Sequence, residues 1–140
     1  MNTIKLTIPI EPKGQKRFRA AAFGGHARTY KDSEQSRYEG KIAALLAQHR
    51  PEFPLEGPLS VTVRCYLPIP QSKPKGWKHD AKLHLIRPTG KPDVSNLLKN
   101  IEDVMNGVFW RDDAQIIRAV ITKWYGDNPR WEIEIEEVTP

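Results

Sequence analysis

Apolar and polar residues alternate at the start of the chain, where Ile4, Leu6 and Ile8 are separated by Lys5 and Thr7. This period of two is typical of a strand with one buried face. Applied along the whole chain, the patterns predict strands at residues 3–10, 59–67, 115–125 and 130–138 and helices at residues 33–50 and 93–106.

Turn and cap residues indicate where these elements begin and end. Asp32 or Ser33 is expected to cap the first helix, and Gly107 is expected to end the second. The turn sequence GDNP separates the last two strands, so we expect them to form a closing hairpin. Arg118 and Lys123 on one strand would then pair across with the glutamates of the other.

The segments between these elements are basic and broken by glycine or proline. Residues 11–31 are predicted to be a loop or an irregular ribbon, residues 68–82 are predicted to be irregular, and residues 83–88 to form a short strand. Basic runs of this kind are typical of solvated loops, but beside a metal site they would form arms that contact DNA phosphates. The candidate DNA contacts are Lys13, Lys16, Arg17, Arg19, Lys73, Lys75 and Lys78.

An aromatic residue within the second basic segment is open to two interpretations. Trp77 follows Lys75 and precedes Lys78. Its ring could stack on an unpaired base or insert at a branch point in DNA. Alternatively, it packs as a lid over the core.

Composition excludes several kinds of protein. The 140 residues correspond to one domain, residues 1–140, and we expect an α/β (α+β) fold with about four strands and two main helices. A single cysteine, Cys65, excludes an intrachain disulfide and a thiolate metal site. The four histidines show no zinc-like spacing. The chain starts without a signal-peptide pattern and contains no apolar span of membrane length, so we expect a cytoplasmic protein without membrane contact.

The second helix carries two different faces at 100° per residue. Its apolar face is expected to pack on the core and comprises Val94, Leu97, Leu98, Ile101, Val104 and Met105. Its polar face comprises Asp93, Asn96, Asn100 and Asp103, with Lys99 beside it. One interpretation is a solvated face with Asp93 as the N-cap. However, asparagine is a poor helix former, so two asparagines on this face destabilise the helix locally, and we expect them to make a compensating interaction.

The sequence WRDDAQI adds two acids, Asp112 and Asp113, shortly after this helix, although the chain carries a formal charge of +5. Because the connection is short, we expect Asp112 or Asp113 to approach Asp93 at the start of the helix. Two or three carboxylate oxygens would suit Mg²⁺, which prefers oxygen ligands and keeps several waters. Near a phosphodiester such an ion could activate water, and the Lys99 ammonium could offset developing charge.

These motifs resemble those of a known family. The stretch KPDVSNLLK followed by EDVMNGVFWRDDAQI is similar to the acidic block of the RusA-type Holliday junction resolvases, most of which are encoded by phages and prophages. EPKGQKRF and YLPIPQSKPKGW resemble the basic segments of that family. The resemblance implies a RusA-like fold with a small mixed sheet, a homodimer, and Mg²⁺-dependent paired cleavage of branched DNA such as a four-way junction, with Mn²⁺ as a possible substitute.

The resemblance also implies roles for individual residues. Asp93 and Asp113 match the motif aspartates that hold the metal, Lys99 matches the catalytic lysine, and Asn96 matches the motif asparagine that supports the site. Ser95 stands where the family often has a second aspartate. Its hydroxyl can bind the metal or a water on it but brings no charge, and Asp112 is the first candidate to substitute. Asp103 lies about 15 Å along the helix from Asp93 and is too far to share the ion.

Three functional hypotheses follow from the sequence. The first is a metal-dependent endonuclease that resolves Holliday junctions by symmetric cuts, and the near two-fold symmetry of a junction favours two equivalent sites in a C₂ dimer. The second is a branched-DNA-binding protein without catalysis, in which Ser95 marks a degraded metal site. The third is a nuclease that acts on flaps or on RNA.

Overall fold

The structure, a computed structural model, describes residues 3–15, 19–23, 26–30 and 33–139, with the backbone alone in 19–23 and 26–30. The elements follow one another as β1 (Thr3–Ile8), β2 (Arg19–Phe23), β3 (His26–Tyr30), α1 (Ser33–Ala47), β4 (Leu59–Pro68), α2 (Lys75–Lys82), α3 (Val94–Met105), a 3₁₀ turn (Asp113–Gln115), β5 (Ile116–Gly126) and β6 (Arg130–Glu137). The four predicted strands correspond to β1, β4, β5 and β6, and the two predicted helices correspond to α1 and α3, so all six are confirmed. Asp32, the alternative cap of α1, lies outside the described residues.

Four strands form one mixed sheet in the order β1-β6-β4-β5. β4 pairs in parallel with β5 and antiparallel with β6, and β6 pairs antiparallel with β1. The predicted mixed α+β fold is thus confirmed. Within the segment predicted to be a loop or an irregular ribbon, β2 and β3 form a separate antiparallel pair.

The predicted closing hairpin is wrong, because β4 lies between β5 and β6. All five odd-numbered residues of β4 from Leu59 to Leu67 are buried, so one face of this strand packs on the core along its length. A direct β5–β6 pair would leave this apolar strand at an edge. The turn after β5 instead crosses the end of β4, where a Cβ added to Gly126 would lie 3.3 Å from that of Tyr66.

The core lies between one face of this sheet and the helices α1 and α3. From α1 it receives Tyr38, Ile42 and Leu46, which recur every four residues on one helical face. From α3 it receives Leu97, Ile101 and Met105, also at intervals of four. This confirms most of the predicted apolar face of α3, except that Val94 in its first turn is 39% exposed.

The segment between β4 and α3 differs from the prediction. Residues 75–82, predicted to be irregular, form α2, which begins after Pro74 at an extended ψ of 159°. Residues 83–88 are not a strand. Leu83 and Leu85 are exposed, and His84 has a φ of 64°, a conformation that interrupts an extended segment. None of the described helices is long and apolar enough to cross a bilayer.

The predicted pairing of Arg118 and Lys123 with the glutamates of β6 is wrong. Arg64 on β4 takes that role, with Nη1 2.9 Å from Glu134 and Nε 3.1 Å from Glu132. Two residues an odd number apart point to opposite faces of a strand, so Arg118 and Lys123 cannot face the same row of carboxylates. Arg118 instead donates to the Ser60 hydroxyl, and Lys123 points to the face that carries the helices.

Candidate active site and nucleic-acid interface

A cleft of about 740 Å³ opens at the N-terminal end of α3. Its walls are the segment from Glu11 to Gln15, the beginning of α1 and the turn that leads into α3. Asp93 and Asn96 line it together with the cations Lys13 and Lys91. The cleft therefore places one of the predicted catalytic residues beside positively charged side chains that an anionic substrate could contact.

The segment from Glu11 to Gln15 is attached to the core by buried polar side chains. The Tyr38 hydroxyl donates to the carbonyl of Glu11 at 2.7 Å and accepts from Nε1 of Trp131 at 2.9 Å. Burial raises the pKa of Tyr38 above its ordinary value, which keeps the phenol protonated and able to donate. The beginning of the basic segment is thus fixed relative to the sheet.

Asn100 provides the second attachment of this segment. It is fully buried, and its Nδ2 donates to the carbonyl of Lys13 at 2.8 Å, while its Oδ1 accepts from Nε2 of Gln35 at 3.3 Å. A buried amide with these partners offsets the low helix propensity of asparagine. The compensating interaction of Asn100 is therefore this pair of structural hydrogen bonds and not a contact with a metal.

Gly14 allows the segment to lie close against α3. A Cβ added there would meet the Cβ atoms of Pro92 and Asn96 at 3.2 Å each. Further along, the Gln15 side chain donates to Asp103 Oδ2 at 2.6 Å. The segment thus covers Asn100 on the polar face of α3, whereas Asp93, Asn96 and Asp103 remain exposed.

Asp93 occupies the N-cap position of α3, but its side chain makes no capping hydrogen bond. Pro92 precedes it, and Asp93 is extended, with a φ of −70° and a ψ of 149°. In the interpretation of Asp93 as a simple helix cap, its carboxylate would accept from an amide of the first turn. The carboxylate has no hydrogen-bond or ion-pair partner among the described residues, so it is available to a ligand in the cleft.

Asp113 is held at the other end of α3. Its Oδ1 accepts from Nε1 of the buried Trp110 at 2.7 Å, and its amide donates to Oδ1 of Asn106 at 3.1 Å. Partial burial raises the pKa of Asp113; the indole hydrogen bond opposes this, and the carboxylates of Asp103 and Asp112 add to it. Asp113 is therefore a fixed carboxylate in a locally negative environment.

Asp112 has a local structural task. Its Oδ1 accepts from the amide of Ala114 at 3.0 Å, and its own amide donates to the side chain of Gln115, forming a capping box for the 3₁₀ turn. One of its oxygens is therefore engaged, and the other projects from an exposed residue. Asp112 can contribute at most a limited part of a metal site.

Within one chain the structure does not bring Asp93 and Asp113 together, so the expected approach of Asp112 or Asp113 to the start of the helix is wrong. The 12 residues of α3 span about 18 Å and separate Asp93 from Asn106, the contact of Asp113. The turn after α3 does not run back because Phe109 and Trp110 are buried and the backbone of Leu55 pairs with Phe109 and Arg111. The described residues contain no group of three or more side chains that could hold a metal ion.

The remaining candidates on α3 are exposed. Ser95 and Lys99 lie one helical turn apart on the side away from the core, and Lys99 has no ion pair among the residues that the structure describes. Asn96 lines the cleft, and its side chain makes no hydrogen bond among those residues. Of the residues expected near Asp93, only Asn96 shares its cleft.

The candidate DNA contacts fall into two groups. Lys13 lines the cleft with its Nζ 5.8 Å from the centre of the Tyr38 ring, whereas Lys16, Arg17 and the side chain of Arg19 lie outside the described residues. In the second group, Lys73 lies just before α2, and Lys75 and Lys78 lie on it.

Trp77 is partly buried between two neighbours. Its ring packs edge-on against Tyr125 at 5.4 Å, and Lys73 Nζ lies 5.0 Å from its centre. This arrangement favours the interpretation of Trp77 as a packing residue over an exposed stacking platform.

Three residues around Asp93 were not predicted to belong to the site. Glu11 and Glu34 also line the cleft. Lys123 reaches the turn before Asp93, with Nζ 2.8 Å from the carbonyl of Gly90 and 3.0 Å from that of Pro92. For Lys123 a signal existed, because it stands at the inward parity of β5 between Ile121 and Tyr125. No pattern in the sequence indicates the two glutamates.

We predict that Asn100→Ala lowers the free energy of unfolding by about 1–3 kcal/mol, because the carbonyl of Lys13 and the amide of Gln35 lose a buried partner. Asn96→Ala is the matched control, one turn away on the same helix. It keeps the Cβ against which Gly14 packs and should change stability by less than about 0.5 kcal/mol. Urea unfolding measures both, and equal effects would contradict the role of Asn100.

Comparison with known proteins gives a consistent result. Residues 9–136 match the family described as Endodeoxyribonuclease RusA. An uncharacterized protein of Bacillus subtilis (strain 168), YqaN, is 39% identical over 142 residues, which cover 99% of each chain. The crossover junction endodeoxyribonuclease rusA of Lactococcus phage r1t is 32% identical over 100 residues, which cover 69% of this chain and 70% of the phage protein. The chain therefore belongs to the RusA family of endodeoxyribonucleases.

Proposed function

We propose that this protein is a divalent-metal-dependent endonuclease that cuts four-way DNA junctions as a homodimer, with Mg²⁺ as the ion and Mn²⁺ as a possible substitute. The observation that carries the proposal is the Asp93 carboxylate, which is left without a cap hydrogen bond in a cleft lined by Lys13 and Lys91. Membership of a nuclease family supports it. An available carboxylate suits a divalent ion that also contacts a DNA phosphate, and the nearby lysines could contact the other phosphates.

One protomer supplies only part of a metal site. It offers Asp93 at one end of α3 and Asp113 at the other, about 18 Å away. In a two-fold dimer with its two α3 helices antiparallel, Asp93 of each protomer would lie near Asp113 of its partner. Such an interface generates two identical sites, as two symmetric cuts require.

Each residue of the composite site has a proposed task. Asp93 and Asp113 would hold the ion, with Ser95 and the second oxygen of Asp112 as weaker ligands or as acceptors for its waters. A divalent ion there supplies Lewis acidity toward the phosphate and an activated water. The Lys99 ammonium would offset negative charge at the reacting phosphate or the leaving oxygen. Asn96 would orient Asp93 or the substrate from within the cleft.

The distribution of charge supports a nucleic-acid substrate. The chain carries 22 Lys and Arg against 17 Asp and Glu, and more than half of the basic residues fall at sequence positions 13–31 and 73–91. Contacts of such residues with phosphates bind DNA without regard to sequence. Selectivity for a junction would then come from the spacing and orientation of two sites in one dimer.

We predict that Asp93→Asn abolishes junction cleavage, by at least about 100-fold, because the substitution removes the charge that holds the ion while preserving the shape of the side chain. Junction binding measured without divalent metal should stay within about twofold of wild type, since Asp93 contributes no phosphate contact. Cleavage at the wild-type rate would remove Asp93 from the site. A wild-type protein that binds junctions but cuts them in neither Mg²⁺ nor Mn²⁺ would instead support the non-catalytic alternative.

A mixed dimer tests whether the site is shared. One protomer carries Asp93→Asn and the other Asp113→Asn, isolated through two different tags. If each site combines Asp93 of one protomer with Asp113 of the other, the mixed dimer keeps one intact site and nicks one strand. Each mutant homodimer should be inactive, so subunit exchange cannot produce a false signal. An inactive mixed dimer would show that the two aspartates of one chain act together.

We predict that Lys75→Gln combined with Lys78→Gln weakens junction binding and flattens its dependence on salt. The slope of log K against log salt should fall by about 0.9 for each DNA phosphate that the variant no longer neutralises. Lys5→Gln is the control, because it also removes one positive charge by the same substitution. Lys5 lies on the edge strand β1, away from α2, and pairs with Glu134. An unchanged slope in the double variant would exclude α2 from the DNA interface.

A further inference from the structure

We propose that Lys123 is a positioning residue that holds the turn before Asp93 and thereby sets the position of its carboxylate. This inference rests on the proposed function of Asp93. The ammonium of Lys123 donates to the carbonyl of Gly90 at 2.8 Å and to that of Pro92 at 3.0 Å. Pro92 immediately precedes Asp93, so one of these hydrogen bonds ends a single residue from the proposed metal ligand.

The location of Lys123 is unusual for a lysine. On β5 it stands between Ile121 and Tyr125 at the parity that faces the helices, and its paired residue on β4 is the fully buried Cys65. Burial raises the pKa of the Cys65 thiol to about 12, so this neighbour is neutral and offers no counter-charge. Among the described residues Lys123 has no carboxylate partner, and its ammonium donates to the two carbonyls. The ammonium is partly buried, and these two carbonyls satisfy donors that would otherwise have no partner within the described residues.

The backbone of the same residue holds the other end of the turn segment. The carbonyl of Lys123 accepts two hydrogen bonds from the Arg87 guanidinium, from Nε at 3.0 Å and from Nη2 at 2.8 Å. The guanidinium also stacks on Trp124 at 3.5 Å from the ring centre. Residues 87–92 are therefore attached to β5 at both ends through Lys123, by the backbone carbonyl at one end and by the ammonium at the other.

This attachment matters because the Asp93 carboxylate has no hydrogen-bond partner among the described residues. Its position therefore depends strongly on where the backbone of Pro92 and Asp93 lies. A displacement of about 1 Å at a reacting group can cost about 100-fold in rate. Loss of the ammonium would release two carbonyls and allow the turn to shift, while the core-facing side chains of α3 stay in place.

The test compares Lys123→Met with Lys123→Arg. Methionine keeps most of the length of the side chain but removes its charge and its hydrogen-bond donors. Arginine keeps the charge and the donors. Arg118→Met on the same strand is the matched control for loss of one charge, because Arg118 contacts only the Ser60 hydroxyl among the described residues. The measurements are hydrogen exchange of individual amides, junction affinity without divalent metal, and the rate of single-turnover cleavage.

Lys123→Met should speed exchange of the Leu97 amide, which bonds to the carbonyl of Asp93, by at least about tenfold, and leave amides of β4 unchanged. Cleavage should slow by about 10- to 100-fold, with junction affinity within about twofold. Lys123→Arg should recover part of the rate, and Arg118→Met should match wild type in all three measurements.

Two outcomes would overturn the inference. In one, Lys123→Met exchanges and cleaves as wild type does, or loosens the Leu97 amide without slowing cleavage. In the other, it accelerates exchange equally in β4 and α3, which would indicate a general contribution to stability. A wild-type protein that does not cut would refute the proposed nuclease instead, and hydrogen exchange would still report separately whether Lys123 holds the turn.

Discussion

The hydrogen bond from Asn100 to the carbonyl of Lys13 is the constraint on which the arrangement of the site depends. It lies inside the protein, between a helix that packs on the sheet and a segment that continues into the basic part of the chain. Because Asn100 is fully buried, separating the two groups would leave its amide without a partner, which is costly. The bond therefore keeps the stretch from Glu11 to Gln15 against α3, where it forms one wall of the cleft at Asp93.

The rigidity of α3 determines how the acids can act together. Its inward side chains are fully buried, so the helix cannot bend to bring its ends together without disrupting the packed core. Asp93 and the contact of Asp113 thus remain about 18 Å apart in every state in which the core is intact. Chemistry that uses both carboxylates at one ion requires a second protomer, and this would couple catalysis to dimer formation. Under the proposed function, such coupling would prevent an isolated protomer from making a single unpaired cut.

Much of the fold could be predicted from local periodicity, because the strands and both main helices bury one regular face. The strand that pairs with β5 could not be predicted in this way. The turn sequence GDNP shows only that the chain reverses after β5, and it does not reveal that β4 lies between β5 and β6. Residue types and the resemblance identified Asp93, Asp113 and Lys99 as site candidates, and their roles remain predictions. The expected approach of the two aspartates was wrong because buried Phe109 and Trp110 draw the connection after α3 into the core. Such packing depends on contacts with residues distant in sequence, which local patterns do not reveal.

Lys123 illustrates how a site can be supported from a sheet that does not itself reach the substrate. An edge strand normally leaves its outer backbone groups unpaired, which exposes it to association with other chains. Here the outer carbonyl of Lys123 is occupied by Arg87, and the ammonium of the same residue occupies two carbonyls of the turn before α3. One residue therefore protects part of the edge and connects it to the helix that carries Asp93. When a cation faces the core without a carboxylate partner, the backbone carbonyls that it binds identify the segment it positions, and the side chains of that segment are then candidates for function.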